Sequence, residues 1–175
     1  MALIVENGSI VAGANGYASV QTVRDYWADR NVTLSQPDAE VAAAIILATQ
    51  YIDNNFKFKG VVVDLGQPLE WPREGAYNAR GAAVPSDEVP EQIVYATAEY
   101  AKRQLELADG LQPDVSDTGV LSSKRSKVDV IETEVEYQEG TGGYFGIRSY
   151  PAADKYLDGL TSGMPGGGFG RIGCC

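Results

Sequence analysis

Histidine is absent from this 175-residue chain, which removes the commonest general base and the commonest metal ligand at neutral pH. The two cysteines, Cys174 and Cys175, stand side by side at the last positions. That spacing fits neither a zinc site nor a disulfide framework, so both are read as reduced thiols. No apolar run approaches the roughly 20 residues of a membrane-spanning helix. Met1–Val5 is too short and too poor in basic residues for a secretory signal, so a soluble, cytoplasmically made protein is expected. Positive charge is scarce: 14 Lys and Arg face 24 Asp and Glu, for a formal net charge of −10. A general nucleic-acid coat has the opposite balance, although a local basic patch stays open.

What the chain does have is helical periodicity, a stiff aromatic turn and much glycine. At this length it forms one domain with a real core. Its 20 glycines concentrate towards the C-terminus, where a packed body gives way to an arm. Leu3–Val5 and Ile10–Val11 flank Asn7-Gly8, a pattern open to a small hairpin or an extended segment. Ser19 is placed to cap a helix over 20–30, with Val20, Val23 and Trp27 on one face. Ser35-Gln36-Pro37-Asp38 resembles a capping box opening a second helix to about Phe56. Its stripe of Val41, Ile45, Ala48 and Ile52, widened by Ala44, Leu47 and Tyr51, marks it as the central helix.

Gln67-Pro68-Leu69-Glu70-Trp71-Pro72-Arg73 cannot continue that helix, because its prolines impose extended or turn conformations. Trp71 is expected to plug the space between two helices, its indole buried and its N–H partnered. Val61–Val63 is a strand or a buried connection. Pro90 and Glu91 open a third helix, with Ile93, Ala96 and Tyr100 beside Val94, Ala98, Ala101 and Leu105, and Asp109-Gly110 supplies its C-cap. A basic run, Ser122–Lys127, precedes an alternating one in which Glu132, Glu134 and Glu136 share one strand face. Residues 151–160 suit a short helix, with Ala153, Tyr156, Leu157 and Leu160 on its apolar side. The glycine-rich end is expected to order on a partner. The fold class is therefore mainly α: a small helical bundle with a short β-strand or hairpin element and an extended C-terminal arm. The divisions fall at 1–110 (helical body), 111–150 (strand and loop extension) and 151–175 (short helix and arm).

Chemistry is thinly represented. Gly168-Phe169-Gly170-Arg171-Ile172-Gly173 matches the dinucleotide fingerprint in letters alone, since the chain stops before a helix can receive a pyrophosphate. Glu132, Glu134 and Glu136 without histidine or a second acidic cluster read as a solvated face. No catalytic, cofactor-binding or metal-ligating set assembles, so neither an enzyme nor a cofactor is expected. Two binding readings stay open. Lys124, Arg125 and Lys127, with Tyr144, Phe145, Arg148 and Tyr150, suit single-stranded nucleic acid. Alternatively, the glutamate face of one subunit meets the Lys124-Arg125-Lys127 run of a neighbour in a ring.

The opening Met1–Gly8, the helix entry Gly13–Val20, the Gln67–Arg73 stretch and Val89-Pro90 together resemble a tailed-phage family labelled DnaT-like single-stranded-DNA-binding protein. That family is similar in turn to the head-to-tail connector, or adaptor, proteins of the phage neck. The similarity covers about residues 1–110, and Trp71, Pro72 and Arg73 are its structural motif. It implies a virion protein of the neck, assembled in the host cytoplasm as a homo-oligomeric ring of about twelve copies beneath the portal. Double-stranded DNA passes through the channel of such a ring without specific binding, and a tail, terminator or nozzle protein sits below. It also implies that the C-terminal arm, through Met164, Phe169, Arg171 and Ile172, reaches the portal. The family label instead implies single-strand binding.

Overall fold

The computed structural model describes residues 2–112, 121–127, 132–137 and 149–163, the two middle segments by their backbone. Among the described residues four helices carry the fold: α1 (Val20–Ala28), α2 (Asp38–Asn55), α3 (Glu91–Glu106) and α4 (Pro151–Leu157). Between them lie short strands, β1 (Lys57–Phe58), β2 (Val61–Val62), β3 (Arg73–Glu74), β4 (Leu121–Lys127), β5 (Glu132–Tyr137) and β6 (Thr161–Gly163). They pair antiparallel in three two-stranded sheets, β1 with β6, β2 with β3 and β4 with β5. The architecture is mostly helical with small β elements. The chain divides into two compact units, residues 1–112 with 147–175 and residues 113–146.

In the larger unit α3 is the hub, touching α1, α2 and α4. Its residues Ala96 to Ala101 are buried without a break, so this helix, and not α2, is central. The α2 pattern misleads because apolar side chains run around its whole circumference, while one of its sides faces solvent. The core joins Val23, Tyr26 and Trp27 of α1, Val41, Ile45, Ala48 and Ile52 of α2, Ile93, Ala96 and Tyr100 of α3, and Ala153 and Leu157 of α4. Two polar tips inside it find partners: Trp27 Nε1 donates to the Ala98 carbonyl at 3.1 Å and Tyr26 Oη to Glu99 Oε1 at 2.8 Å. Tyr51, Tyr100 and Tyr150 form a ring cluster with centroids 4.9–5.9 Å apart, and Tyr100 Oη donates to Asp154 Oδ1.

Helix starts are partly as the sequence indicates. Ser19 caps α1, its Oγ accepting from the Thr22 N–H at 3.0 Å. Ser35 caps nothing: Pro37 is the N-cap of α2 and lends it no side-chain bond. Asp38 instead pairs with Arg24 at 2.6 Å while sitting in the first turn, where a carboxylate suits the helix dipole. Helix α3 ends at Glu106 with Leu107 extended. Gly110, at φ +67°, closes a turn to the Leu107 carbonyl beyond that end and is not its cap.

The N-terminal hairpin does not form. Val5 bridges Gly16 in parallel, and the 6–11 segment wraps a buried carboxylate. Glu6 Oε1 accepts from the N–H groups of Asn7, Gly8 and Ile10, and Oε2 from Val11, at 2.8–3.1 Å. Four backbone donors that strand pairing would have satisfied are met by one side chain. Gly8, at φ +102°, lies so close to the 87–88 backbone that a Cβ would stand 2.1 Å from the Asp87 carbonyl oxygen.

In the smaller unit, β4 and β5 form one antiparallel ladder. Arg125 lies opposite Glu134 and Lys127 opposite Glu132. The basic run is thus itself a strand, its register partner the acidic strand of the same chain.

Candidate functional site

The Gln67–Arg73 stretch leaves β2 by a turn and returns into β3. Asp64 Oδ1 accepts from the Gly66 N–H at 2.6 Å, and the Gln67 N–H donates to the Asp64 carbonyl at 3.1 Å. Gln67 Nε2 donates to the carbonyls of Leu69 and Pro72 at 2.6 and 3.1 Å. The loop is therefore fixed from within. It carries Leu65 almost wholly in solvent, 98% exposed, with Val61 and Val63 also exposed. The apolar run at 61–63 is thus strand β2 at Val61–Val62 with Val62 half-buried and Val61 and Val63 exposed, and not a buried connection.

Trp71 is fully buried, packed edge-on to Phe58 at 5.6 Å, and the Trp71–Pro72 peptide is cis. Its indole N–H has no hydrogen-bond partner among the described residues, contrary to the expectation from sequence. The indole is fixed by packing and by its backbone, whose N–H donates to Tyr17 Oη at 3.2 Å.

Tyr17 Oη passes that bond on to Asp53 Oδ1 at 2.6 Å, while the Glu70 N–H donates to Asp53 Oδ2 at 3.2 Å. One α2 carboxylate thus ties the N-terminal segment and the proline-rich loop to the same helix. Burial pushes the Asp53 carboxyl up from 3.8 to about 7, against the bonds from Tyr17 and Glu70 and the Arg73 charge, which favour the ion. The Tyr17 hydroxyl is raised well above its ordinary value by burial and then by Asp53, and stays protonated.

The sign of the pH effect follows. Below about pH 4 the carboxyl is neutral in both states. Between there and pH 7 the unfolded chain ionises first, so rising pH favours unfolding, and above pH 7 the loss is complete. At 1.36 kcal/mol per pKa unit, discounted for partial solvent access, this amounts to about 1–3 kcal/mol. Asp53→Asn is expected to flatten the decline in melting temperature between pH 5.5 and 8, whatever its fixed cost. Parallel curves for the two proteins would refute the assignment.

Arg73 is buried and four ways engaged. Nε donates to the Lys59 carbonyl at 3.0 Å and Nη2 to the Gly60 carbonyl at 2.9 Å. Nη1 donates to the Glu70 carbonyl and to Glu70 Oε2, at 3.1 and 2.6 Å. The two carbonyls at 59 and 60 converge on it because Gly60 takes φ +74°, where a Cβ would lie 2.3 Å from the Glu74 carbonyl oxygen.

Several other cations of the helical body are also engaged by its own groups. Arg24 serves the Leu34 and Gln36 carbonyls as well as Asp38. Arg30 stacks on Tyr26 at 3.5 Å and donates to its carbonyl. Lys59 donates to the Gly159 carbonyl at 2.8 Å, Lys102 pairs with Glu106 and Arg103 with Glu99. Lys57, Arg80 and Lys155 are exposed, on β1, on the 77–83 turn and on α4.

Of the residues singled out from sequence, Trp71, Pro72 and Arg73 are brought together in the core. Lys124, Arg125 and Lys127 lie on β4, and Glu132, Glu134 and Glu136 on β5. Met164, Phe169, Arg171 and Ile172, the 168–173 fingerprint match, and Tyr144, Phe145 and Arg148 lie outside the described residues. Tyr150 is not available for stacking on a base: it is buried, and its hydroxyl donates to the Leu111 carbonyl at 2.9 Å. Sequence reasoning missed Glu6, Tyr17 and Asp53. The one usable signal was a carboxylate, Asp53, beside the buried α2 stripe.

No group of acidic or cysteine side chains able to hold a metal occurs among the described residues, and no helix there is long and apolar enough to cross a membrane. A family model described as "Putative DnaT-like ssDNA binding protein" matches residues 1–172. No curated protein matches, and no solved structure matches.

Proposed function

This chain belongs to the DnaT-like family, and from that premise we propose that it is a structural virion protein, a head-to-tail adaptor that assembles as a ring below the portal. The observation that carries this reading is the disposition of charge. Four arginines of the helical body, Arg24, Arg30, Arg73 and Arg103, are engaged in holding its own carbonyls and carboxylates, in a protein of net charge −10. Phosphate binding depends on free Lys and Arg. A wall poor in them lets duplex DNA slide past without adhering. The likeness of the DnaT-like family, which the Gln67–Arg73 stretch and the N-terminal segment resemble, to neck adaptors supports the same reading, with portal and tail proteins as partners and the neck of the virion as location.

The family description favours a second reading, single-strand binding. On this chain its first candidates are Lys124, Arg125 and Lys127 of β4, set opposite glutamates in register, with Tyr144, Phe145 and Arg148, which lie outside the described residues.

Two measurements separate them. Mixed with its portal protein, the full chain is expected to form a complex of higher mass. A variant ending at Gly163 keeps β6 paired with β1, so it should retain its helical signal and lose the portal complex. Docking by that variant would remove the arm from the mechanism. A mobility shift with single-stranded oligonucleotide that weakens steeply with salt, lost in Lys124→Glu/Arg125→Glu, would instead establish the second reading.

A further inference from the structure

Arg24, Arg30, Lys59, Arg73, Lys102 and Arg103 all hold groups of the protein itself. Of the side chains described in the helical body, that leaves Lys57, Arg80 and Lys155, each exposed and without a partner among the described residues. They come from distant parts of the sequence, yet all three are placed around Gly159. Lys155 stands in the last turn of α4, which leads into that glycine. A Cβ on Gly159 would lie 2.6 Å from both the nitrogen and the Cβ of Ala79, the neighbour of Arg80. Glycine is therefore what lets the end of α4 rest on the 77–83 turn. On β1, Lys59 Nζ donates to the Gly159 carbonyl at 2.8 Å. Strand alternation puts Lys57 on the same side as Lys59, opposite buried Phe58.

The 77–83 turn is fixed from within. Asn78 Oδ1 accepts from the Arg80 and Ala82 N–H groups at 2.9 and 3.1 Å, and Tyr77 bridges Ala83. Arg80 is thereby carried at the tip of the turn and Tyr77 at its base, where Tyr77 is 52% exposed. Carboxylates are few on these elements. Asp154 is held by Tyr100 Oη and the Tyr150 N–H, while Asp158, beside Gly159, and Glu74 of β3 are exposed. The next acidic pair along the chain, Asp87-Glu88, has its backbone against Gly8 of the N-terminal segment. Lys59 keeps its charge while holding a carbonyl, so Lys57, Lys59, Arg80 and Lys155 outweigh Asp158 and Glu74. The corner is positive on a chain of net charge −10.

We infer that a single strand of nucleic acid lies on this corner, its phosphates on Lys57, Lys59, Arg80 and Lys155 and a base on Tyr77. The inference rests on the single-strand reading above and moves its contacts from β4 to the helical body. Charge selects the place: an acidic surface repels phosphates, and a confined positive patch within it draws them. The exposed ring selects the kind of strand. An unpaired base stacks on an aromatic face, whereas the bases of a duplex are already stacked on one another. An acidic protein surface would use the cations and leave Tyr77 idle.

The test is fluorescence anisotropy of a labelled oligothymidylate titrated with the full-length chain at several salt concentrations, with polyglutamate as competitor. The wild type is expected to bind the strand, and more weakly as salt rises. Arg80→Gln and Lys155→Gln should each lower the salt slope by about one, and together raise the dissociation constant about tenfold. Tyr77→Ala should weaken binding about fivefold or more and leave the salt slope unchanged. These positions are exposed, so each variant should keep its helical circular dichroism, and Lys57→Gln replaces one that does not. A wild type that binds no strand at low salt overturns the inference together with the single-strand reading. Binding lost in Lys124→Glu/Arg125→Glu yet intact in the corner variants overturns the inference alone. So does displacement by polyglutamate at equal charge with Tyr77→Ala without effect, which would assign the corner to an acidic protein.

Discussion

Trp71→Ala is expected to destabilise the helical body by about 3–5 kcal/mol, the usual range for deleting a buried aromatic side chain. For a chain of this size that lowers the melting temperature by roughly 10–15 °C. The side chain has no exposed surface, so the whole indole volume becomes a cavity against Phe58. Relaxation is restricted, because the flanking backbone is held by Tyr17 and Arg73. Trp71→Phe separates packing from polarity. It gives up part of the volume but also removes an indole N–H that is buried without a partner, and such a donor costs about 1–3 kcal/mol to desolvate. The two effects oppose, so Trp71→Phe should fall within about 1 kcal/mol of wild type by urea titration. A phenylalanine variant as unstable as the alanine one would mean that the indole N–H is satisfied in solution.

The local rules that succeeded and those that failed separate cleanly. Helix existence was legible from 3.6-residue periodicity, because each of the four helices buries a continuous stripe. The capping of α1 was legible because Ser19 and Thr22 lie within one turn. What could not be read was which helix stands at the centre. Periodicity reports how much of a helix is apolar, and α2 is more apolar than α3, yet α3 touches the other three helices.

The buried polar devices were illegible for another reason. Glu6, Asp53 and Arg73 each satisfy backbone groups distant in sequence or folded into a local loop, and no spacing rule encodes that geometry. Asn7-Gly8 signals a turn equally well whether its amides face a strand or a carboxylate. Likewise the basic and acidic runs at 122–137 were legible as opposite charges, but not as partners in one ladder. Any ring contact through them competes with the ladder already present.

Arg73→Met is the second large effect. The guanidinium answers three carbonyls and one carboxylate oxygen. Methionine fills much of the stem volume but leaves the carbonyls of Lys59 and Gly60 facing an apolar group and frees the half-exposed Glu70 carboxylate. An unsatisfied buried acceptor costs about 1–3 kcal/mol, and with these acceptors part-buried a total loss of about 2–3 kcal/mol is expected. Arg73→Lys keeps the charge and tests the geometry. A lysine ammonium is a point donor that cannot reach carbonyls on both sides of a planar fork. It should recover only about 1 kcal/mol, the worth of its ion pair with Glu70. Because Arg73 holds the 59–60 corner to the base of the 61–72 loop, the variants should also release that loop. Amide exchange at Val61, Val62 and Glu74, the β2–β3 pairing, is expected to accelerate before that of α2 or α3. Uniform acceleration across all helices would instead mean that Arg73 stabilises the body as a whole, and that the Leu65 loop owes its fixed shape to Asp64 and Gln67 alone.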